Sequence, residues 1–162
     1  MAHKTQLGRA HGGYTLMELI ITLVVFAIIG AFAIPSLRWF VVNQRVRNAT
    51  YDFSATLVYA RSEAAKRNAN VVVAKAGAGG WQGGWTVALA SSPATPLQKQ
   101  AAYPDISITN NAYTSITFSH TGRLTGLSAT NPTFTFASTV TGVSVPLHCV
   151  KLDPSGRALL SC

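Results

Sequence analysis

The sequence contains few acidic residues and few cysteines, and this restricts the functions it can have. Five Asp and Glu stand against 13 Lys and Arg, the formal net charge is +8, and charged residues make up only 11% of the 162 positions. No pair of carboxylates has a spacing suited to general acid and base catalysis, and no Gly-x-Ser-x-Gly nucleophile turn is present. We therefore predict that the protein is not an enzyme and holds no cofactor.

Cysteine occurs only near the end of the sequence, at Cys149 and Cys162. A zinc site would need two further ligands, and the four histidines supply no obvious set, although His148 adjoins Cys149. Outside the cytoplasm the two thiols can form one disulfide. We therefore predict no metal site, and a Cys149–Cys162 disulfide that closes the C-terminal segment into a loop.

Charge is also missing from one long segment of the sequence. Between Leu19 and Ile34 the only polar side chain is that of Thr22, and the apolar run that starts at Leu16 would form a helix roughly 28 Å long, about the thickness of a bilayer core. A carboxylate, Glu18, lies at the start of this run, where a charge is costly unless it is paired or stays at the interface. We predict a membrane-spanning helix in which Glu18 has a function.

The residues around the start of the run, Gly13-Tyr14-Thr15-Leu16-Met17-Glu18, resemble the class III signal of type IV prepilins. In that family a membrane aspartyl peptidase cuts after the glycine and methylates the new first residue. The resemblance implies cleavage between Gly13 and Tyr14, N-methylation of Tyr14 (usually Phe in the family), and loss of residues 1–13 as a basic leader that stays cytoplasmic. It also implies that Glu18 pairs with the new amine, on its own or a neighbouring subunit, and fixes the axial register of a filament.

Two simpler interpretations of the apolar run remain open. A secretory signal peptide has a basic start, an apolar core and a small-residue cleavage site, which Ala31-Phe32-Ala33 provides, but it gives Glu18 no role. A plain membrane anchor accounts for the apolar run but not for the spacing from Gly13 to Glu18.

Beyond the run, the sequence predicts an amphipathic continuation of the helix. Pro35 lacks an N–H donor, so we expect the helix to kink or loosen near it, at a depth where pilin-like helices bend or melt during assembly. No Gly or Pro interrupts the segment from Arg38 to Asn68, and apolar residues recur in it at three- and four-residue intervals. These residues are Phe53, Leu57, Ala60 and Ala64.

After position 70 the pattern changes to short β-like runs separated by turn residues. The glycine-rich segment 77–84 lacks the Lys-Ser/Thr of a phosphate-binding loop and is predicted to be a flexible hairpin connection, and Ser91–Pro104 an irregular surface loop. The predicted strands are Val71–Ala76, Trp85–Ala90, Ser115–Ser119, Thr133–Ala137, Val145–Leu152 and Arg157–Leu160.

The predicted fold class is α+β. A long N-terminal hydrophobic helix, with a transmembrane part at 14–35 and an amphipathic part at 36–69, packs on a small antiparallel β-sheet domain at 70–162.

A second resemblance extends from the amphipathic helix into the predicted β-sheet domain. The segment Ala60-Arg61-Ser62-Glu63-Ala64-Ala65-Lys66-Arg67-Asn68, followed by a valine strand and the pair Gly84-Trp85, resembles the FimT/GspH group of minor pilins and pseudopilins. The ending, with Cys149, Ser155-Gly156-Arg157 and Cys162, resembles the same group. The resemblance implies the pilin fold and a minor pilin that is incorporated in a type IV pilus or primes its assembly. A GspH-like minor pseudopilin of a type II secretion system is the alternative.

The partners and the location follow from the same resemblance. It implies that the chain contacts other pilin subunits, the prepilin peptidase and the inner membrane. The protein would cross that membrane once, with its C-terminal domain in the periplasm, and would join a pilus or pseudopilus after assembly.

The charge of the chain beyond the apolar run favours a polyanionic partner. From Ser36 onward 11 basic residues stand against four acidic ones, a net charge of +7, which attracts DNA or anionic lipids, although many basic surfaces are simply solvated. FimT-like minor pilins of transformable bacteria are associated with DNA capture through a C-terminal Gly-Arg-x-Arg motif. Here Gly156-Arg157-Ala158-Leu159 has leucine in place of the second arginine.

DNA binding is therefore a further interpretation of the same surface. Arg157, Lys151 and Arg123 are the candidates for a phosphate-contacting patch steadied by the Cys149–Cys162 link. Such a patch would bind DNA without sequence preference, for uptake in natural transformation.

Overall fold

The computed structural model describes residues 13–110, 113–126 and 131–162. The chain divides into two compact units, one up to Leu37 and one from Arg38 to Cys162.

One helix, α1, extends from Leu16 to Arg67. The helix continues through position 35, where the sequence predicts a kink. The side chain of Pro35 is outside the described part of the structure, and so are positions 1–12 of the predicted leader. Up to Leu37 the described large apolar side chains of α1 are exposed. With a mean hydropathy of 2.6 over its most apolar window, the helix is long and apolar enough to cross a membrane.

The second part of α1 is amphipathic. Buried residues recur every three or four positions, so they form one apolar stripe along the helix. They are Val42, Val46, Ala49, Phe53, Leu57, Ala60 and Ala64. The four stripe residues predicted from the sequence are all among them, which confirms the amphipathic helix.

The C-terminal end of α1 is closed by a left-handed residue, Asn68, with φ of 49°. The N–H of Asn68 donates to the carbonyl oxygen of Ala65 at 3.3 Å, and the N–H of Ala69 donates to that of Ala64 at 3.2 Å. This is the Schellman pattern, which satisfies carbonyl groups that the last turn would otherwise leave free.

The strands form two antiparallel sheets. Their strands are β1 Val71–Lys75, β2 Trp85–Leu89, β3 Gln98–Gln100, β4 Ile106–Asn110, β5 Ser115–Phe118, β6 Leu124–Thr125, β7 Thr133–Ser138, β8 His148–Leu152 and β9 Ala158–Leu159. The first sheet has the order β3-β2-β1-β5-β6 and the second the order β4-β7-β8-β9. One helix followed by antiparallel sheets confirms the predicted α+β class.

The strand predictions need several corrections. The strands form two sheets, because β4 pairs with β7 while β5 pairs with β1. Strand β3 lies inside the predicted loop Ser91–Pro104. It is an edge strand that pairs with β2. Its Gln-Lys-Gln sequence is polar throughout, so no alternation of apolar residues indicates a strand there. Strand β6, also unpredicted, is two residues long. Strand β4 was missed although Ile106 and Ile108 alternate with polar residues and are both buried.

Two predicted strands are too long by more than one residue. Strand β8 begins at His148 rather than at Val145, since the intervening Pro146 cannot donate a ladder hydrogen bond. Strand β9 covers only Ala158 and Leu159 rather than Arg157–Leu160.

The hairpin connection at 77–84 is more ordered than predicted. It contains a short 3₁₀ helix, Trp81–Gly83, and Trp81 is buried with its indole N–H donating to the carbonyl oxygen of Tyr113 at 2.9 Å. At Gly84, where φ is 92°, a Cβ would collide with the backbone of Gln100. The Gly84-Trp85 pair therefore lets strand β3 approach closely while the next side chain enters the core.

Phe53 lies at the centre of the core. Its ring is 5.0 Å from that of Trp85 on the first sheet and 4.6 Å from that of Phe134 on the second. The indole N–H of Trp85 donates to the hydroxyl of Thr56 at 3.1 Å, which satisfies its polar edge within the core. One α1 side chain thus packs against both sheets.

The Cys149–Cys162 pair forms the disulfide expected from the sequence, with its Cα atoms 5.0 Å apart. Cys149 is buried on β8, whereas Cys162 is exposed. The bond therefore ties the last residues to the second sheet.

Replacing Phe53 with alanine should strongly destabilise residues 38–162. The change removes a fully buried ring that contacts both sheets, and we expect a loss of about 3–5 kcal/mol in the free energy of unfolding. Urea denaturation of a fragment covering residues 38–162 measures it. The matched control is Val58→Ala on the same helix, where the side chain is 61% exposed and the change should stay within about 0.5 kcal/mol. Equal effects of the two substitutions would contradict the central role of Phe53.

Candidate functional site

The predicted processing segment begins just before α1. Gly13, Tyr14 and Thr15 precede the first helical residue, and no described heavy atom lies within 4 Å of a Cβ built on Gly13. Tyr14 is 85% exposed. The peptide bond between Gly13 and Tyr14 is therefore accessible and non-helical, which is favourable for cleavage.

Thr15 caps the start of α1. Its hydroxyl oxygen accepts a hydrogen bond from the backbone N–H of Glu18 at 3.2 Å, and its carbonyl oxygen accepts one from Leu19 at 3.2 Å. A Thr and a Glu three residues apart are the residue types of a capping box. This capping role was not predicted from the sequence, although the Thr-x-x-Glu spacing signals it.

The carboxylate of Glu18 is exposed and forms no ion pair within the described part of the chain. A negative charge in the first turn interacts favourably with the helix dipole. The carboxylate can therefore accept a positive group from another molecule or from a processed N-terminus.

A tight turn connects β8 to β9 near the end of the chain. Asp153 organises it: its carboxylate accepts hydrogen bonds from the Ser155 hydroxyl at 2.6 Å and from the Arg157 backbone N–H at 2.9 Å. The Ser155 hydrogen bond is the main reason that the pKa of Asp153 lies below its ordinary value, with a further contribution from the Arg157 backbone. The position of Arg157 is thus fixed by a local network.

A second turn packs directly against this one. At Gly156, where φ is 81°, a Cβ would collide with the carbonyl oxygen of Gly122, and the N–H of Leu124 donates to the carbonyl oxygen of Pro154 at 3.3 Å. The structure therefore brings the turn that carries Arg123 against the turn that carries Arg157.

Arg61 also reaches this place, from α1. Its side-chain atoms come within 3.3 Å of a Cβ built on Gly122. The sequence analysis missed it, because α1 and the turn around Gly122 are far apart along the chain.

Lys151 shares a face with Arg157. In the β8–β9 hairpin Lys151 pairs with Leu159, and the N–H of Asp153 donates to the carbonyl oxygen of Arg157 at 3.1 Å. Because side chains alternate between the two faces of a strand, Lys151, Arg157 and Leu159 project on the same side. Leu159, which replaces the second arginine of the motif, therefore lies directly across from a lysine.

We call Arg61, Arg123, Lys151 and Arg157 the basic turn surface. None of the four forms an ion pair with a described residue, and all but the half-buried Arg61 are exposed. One carboxylate, that of Asp153, lies beside Arg157 and is bound to its backbone N–H, so the group keeps an excess of positive charge, which attracts phosphate groups.

A cleft that the sequence analysis missed lies beside the disulfide. It has a volume of about 260 Å³ and lies between α1 and the C-terminal segment. Its lining residues include Arg47, Tyr51, Leu147, His148, Leu160 and Cys162. No local sequence signal identifies it, because its walls come from three separate parts of the chain.

The comparisons with known proteins agree with the fold and with the N-terminal segment. The model of the family described as type II transport protein GspH matches residues 49–156. The model of the prokaryotic N-terminal methylation motif matches residues 8–34. No curated protein gives a match.

The solved structures that resemble the chain include the type IV minor pilin FimU of Pseudomonas aeruginosa in two crystal forms. In one form the TM-score is 0.60 at 26% identity, covering 72% of this chain and 92% of FimU. In the other the TM-score is 0.63 at 24% identity, covering 76% and 92%.

The GspH model matches more than half of the chain, and pilins and pseudopilins are structural proteins rather than enzymes. The N-terminal methylation motif and the FimU-like fold point to the same class. The chain belongs to the GspH family and is a type IV pilin-like precursor.

Proposed function

We propose that the chain is a minor pilin of a type IV pilus, incorporated in the pilus or priming its assembly. The observation that carries the proposal is the Gly13–Glu18 segment, with an accessible Gly13–Tyr14 bond and, at the start of an apolar helix, a Glu18 that has no ion partner among the described residues. Cleavage after Gly13 would remove the leader 1–13, and methylation would follow on Tyr14. The similarity of the fold to the minor pilin FimU supports the pilus.

The proposed organisation assigns a role to each part of the mature chain. Residues 14–35 form the transmembrane and assembly helix, in which Pro35 is the proposed point of bending, and residues 36–69 form the amphipathic helix. Residues 70–162 form the periplasmic β-rich domain. Prepilin peptidase, the inner membrane and other pilin subunits are the proposed partners. Glu18 is proposed to pair with the amine of Tyr14 on its own or a neighbouring subunit.

Replacing Gly13 with leucine should leave the precursor uncleaved, because a bulky side chain at the cleaved bond obstructs the peptidase. Mass spectrometry of membrane-extracted protein measures this, and the normal protein should begin at N-methylated Tyr14. The control is Gly30→Ala, at a position with no described atom within 4 Å of an added Cβ, which should be processed normally. Normal cleavage of the Gly13 variant, or a mature protein that begins after Ala33, would overturn the proposal.

The alternative role is that of a GspH-like minor pseudopilin of a type II secretion system, which the GspH family match favours. Deleting the gene for this chain from its native host distinguishes a pilus subunit from a secretion-system subunit. We expect fewer surface pili and unchanged export of secreted enzymes. Lost export with normal pili would favour the pseudopilin.

We further propose that the basic turn surface binds DNA without sequence preference, for uptake in natural transformation. The supporting observation is that Arg157 and Lys151 share one face of the β8–β9 hairpin while Arg123 lies on the adjoining turn. The three side chains are exposed, and no described carboxylate pairs with them. Cations that are free of internal partners can neutralise phosphates and release counterions.

Substitutions at Arg157 and Leu159 should change DNA affinity in opposite directions. Arg157→Ala should weaken binding for all sequences and lower the salt slope by about one. Leu159→Arg, which adds a guanidinium across from Lys151, should strengthen binding and raise the slope by a similar amount. Gel shifts of random-sequence duplexes at several salt concentrations measure both effects.

The matched control for these gel shifts is Lys99→Ala. Lys99 is exposed on the edge strand β3, away from both turns. The control should change affinity less than Arg157→Ala does. Equal losses at the two positions would show that only net charge matters, and no shift at low salt would remove the DNA-binding proposal.

A further inference from the structure

The cleft beside the disulfide combines exposed apolar side chains with an arginine. Tyr51, Leu147 and Leu160 line it and are 51%, 59% and 51% exposed, and Arg47 lies at the same cleft. Tyrosine and arginine are the residue types that most often dominate binding energy in protein interfaces. A volume of about 260 Å³ is below that of a typical small-molecule pocket and suits one or two protein side chains.

The disulfide makes one wall of this cleft permanent. Cys149 belongs to β8, and its bond to Cys162 holds the adjoining Leu160 and Ser161 beside α1. A wall that is already ordered loses less conformational entropy when a partner binds. The cleft is therefore prepared to receive a segment from another molecule.

The four acidic side chains of residues 38–162 all have partners within the domain, two in ion pairs and two in hydrogen bonds. Glu63 pairs with Arg67 at 2.5 Å and with Lys66 at 3.7 Å, and Asp105 pairs with Arg45 at 3.0 Å. The remaining two accept hydrogen bonds, Asp52 from the Tyr103 hydroxyl at 2.7 Å and Asp153 from its own turn.

Arg47 has no ion pair among the described residues. The positions outside the described ranges contain no Asp or Glu in the sequence, so the only remaining acidic side chain of the chain is Glu18. No acidic side chain of residues 38–162 is therefore an ion partner of Arg47 among the described residues. The guanidinium can accept an acidic side chain from a partner.

A second folded copy of this domain does not fit that requirement. Two copies of residues 38–162, each of net charge +7, repel each other, and two of the four acidic side chains in each copy are already in ion pairs. The phosphate backbone of DNA does not fit well either, because it would lie against three apolar side chains that gain nothing from contact with charge. The combination fits a protein segment that carries an acidic and an apolar side chain close together.

We propose that this cleft docks a different, acidic subunit of the same filament. The partner places an Asp or Glu against Arg47 and an apolar side chain between Tyr51, Leu147 and Leu160. This inference rests on the proposed filament function and adds the chemistry of the neighbour.

Photocrosslinking in the native host tests the proposal on the full-length chain. p-Benzoylphenylalanine replaces Tyr51 in the cleft, and in a control strain it replaces Val58, which lies on the same exposed side of α1 but outside the cleft. Tyr51 should crosslink to a different filament subunit within a few residues of an Asp or Glu. Val58 should give at most a trace of that product.

The charge at Arg47 provides the second part of the test. Adding Arg47→Glu to the Tyr51 probe should lower the crosslink yield about tenfold, which corresponds to about 1.4 kcal/mol, and Arg47→Gln should lower it less. Replacing the identified acidic residue of the partner with lysine should restore the yield with Arg47→Glu. Because Arg47 is exposed and has no described ion partner, both variants should keep the thermal unfolding midpoint of the normal protein.

Several outcomes would overturn the docking proposal. One is a crosslink from Tyr51 to a second copy, to lipid or to nuclease-sensitive DNA. Another is a crosslink of equal yield from Val58. A third is a crosslink yield that does not change when the charge at Arg47 is changed. Assembled filaments with no crosslink at Tyr51 would overturn it while leaving the filament function intact. Failure of the unsubstituted chain to be processed or to enter filaments would instead overturn the proposed function itself.

Discussion

The packing of Phe53 against aromatic rings from both sheets holds residues 38–162 together, because this one helical side chain contacts each sheet. Trp85 approaches it from the first sheet and Phe134 from the second. The contact fixes the rotation of α1 about its own axis relative to the sheets. The side of the helix that carries Tyr51 is thereby held outward next to the C-terminal segment.

The same constraint brings distant parts of the chain together at the other end of the domain. With α1 fixed, the Arg61 side chain lies against Gly122, and the turn at Gly156 closes on the carbonyl oxygen of Gly122 because Gly156 has no side chain. The basic turn surface is thus a product of helix packing, of one close backbone approach at Gly156 and of the space left at Gly122. Substituting either glycine would displace a segment that carries a cation without changing any charge.

Charge is distributed unevenly between the interior network and the surface. The four carboxylates of the domain are used in ion pairs or hydrogen bonds, and the pKa of Glu63 is lowered chiefly by its hydrogen bond to Arg67. Eight of the 11 basic residues remain outside the ion pairs of the described residues. The surplus lies on surfaces of different character: the turns present charge alone, whereas the cleft combines charge with apolar walls. Their proposed ligands differ for that reason.

The sequence predicted the helix, its buried stripe and the α+β class because each depends on short-range periodicity. It did not predict two separate sheets, since the pairing of β4 with β7 is decided by tertiary packing rather than by either strand. The polar edge strand β3 carries no apolar alternation, and the cleft is formed by residues a hundred positions apart. Local pattern cannot contain such information, although the Ile106 and Ile108 alternation of β4 was readable.

At the N-terminus, the backbone and the side chain of Glu18 have separate tasks. Its N–H is bound by the Thr15 hydroxyl, which stabilises the start of the helix whatever side chain follows. Its carboxylate gains roughly 0.3–1 kcal/mol from the helix dipole, less than a buried charge costs in a membrane. In the proposed filament, a neighbouring amine would therefore lower the free-energy cost of placing the Glu18 charge in the membrane rather than add much to the stability of the filament. Such a pair favours one register over its alternatives, because every other register leaves the charge unpaired.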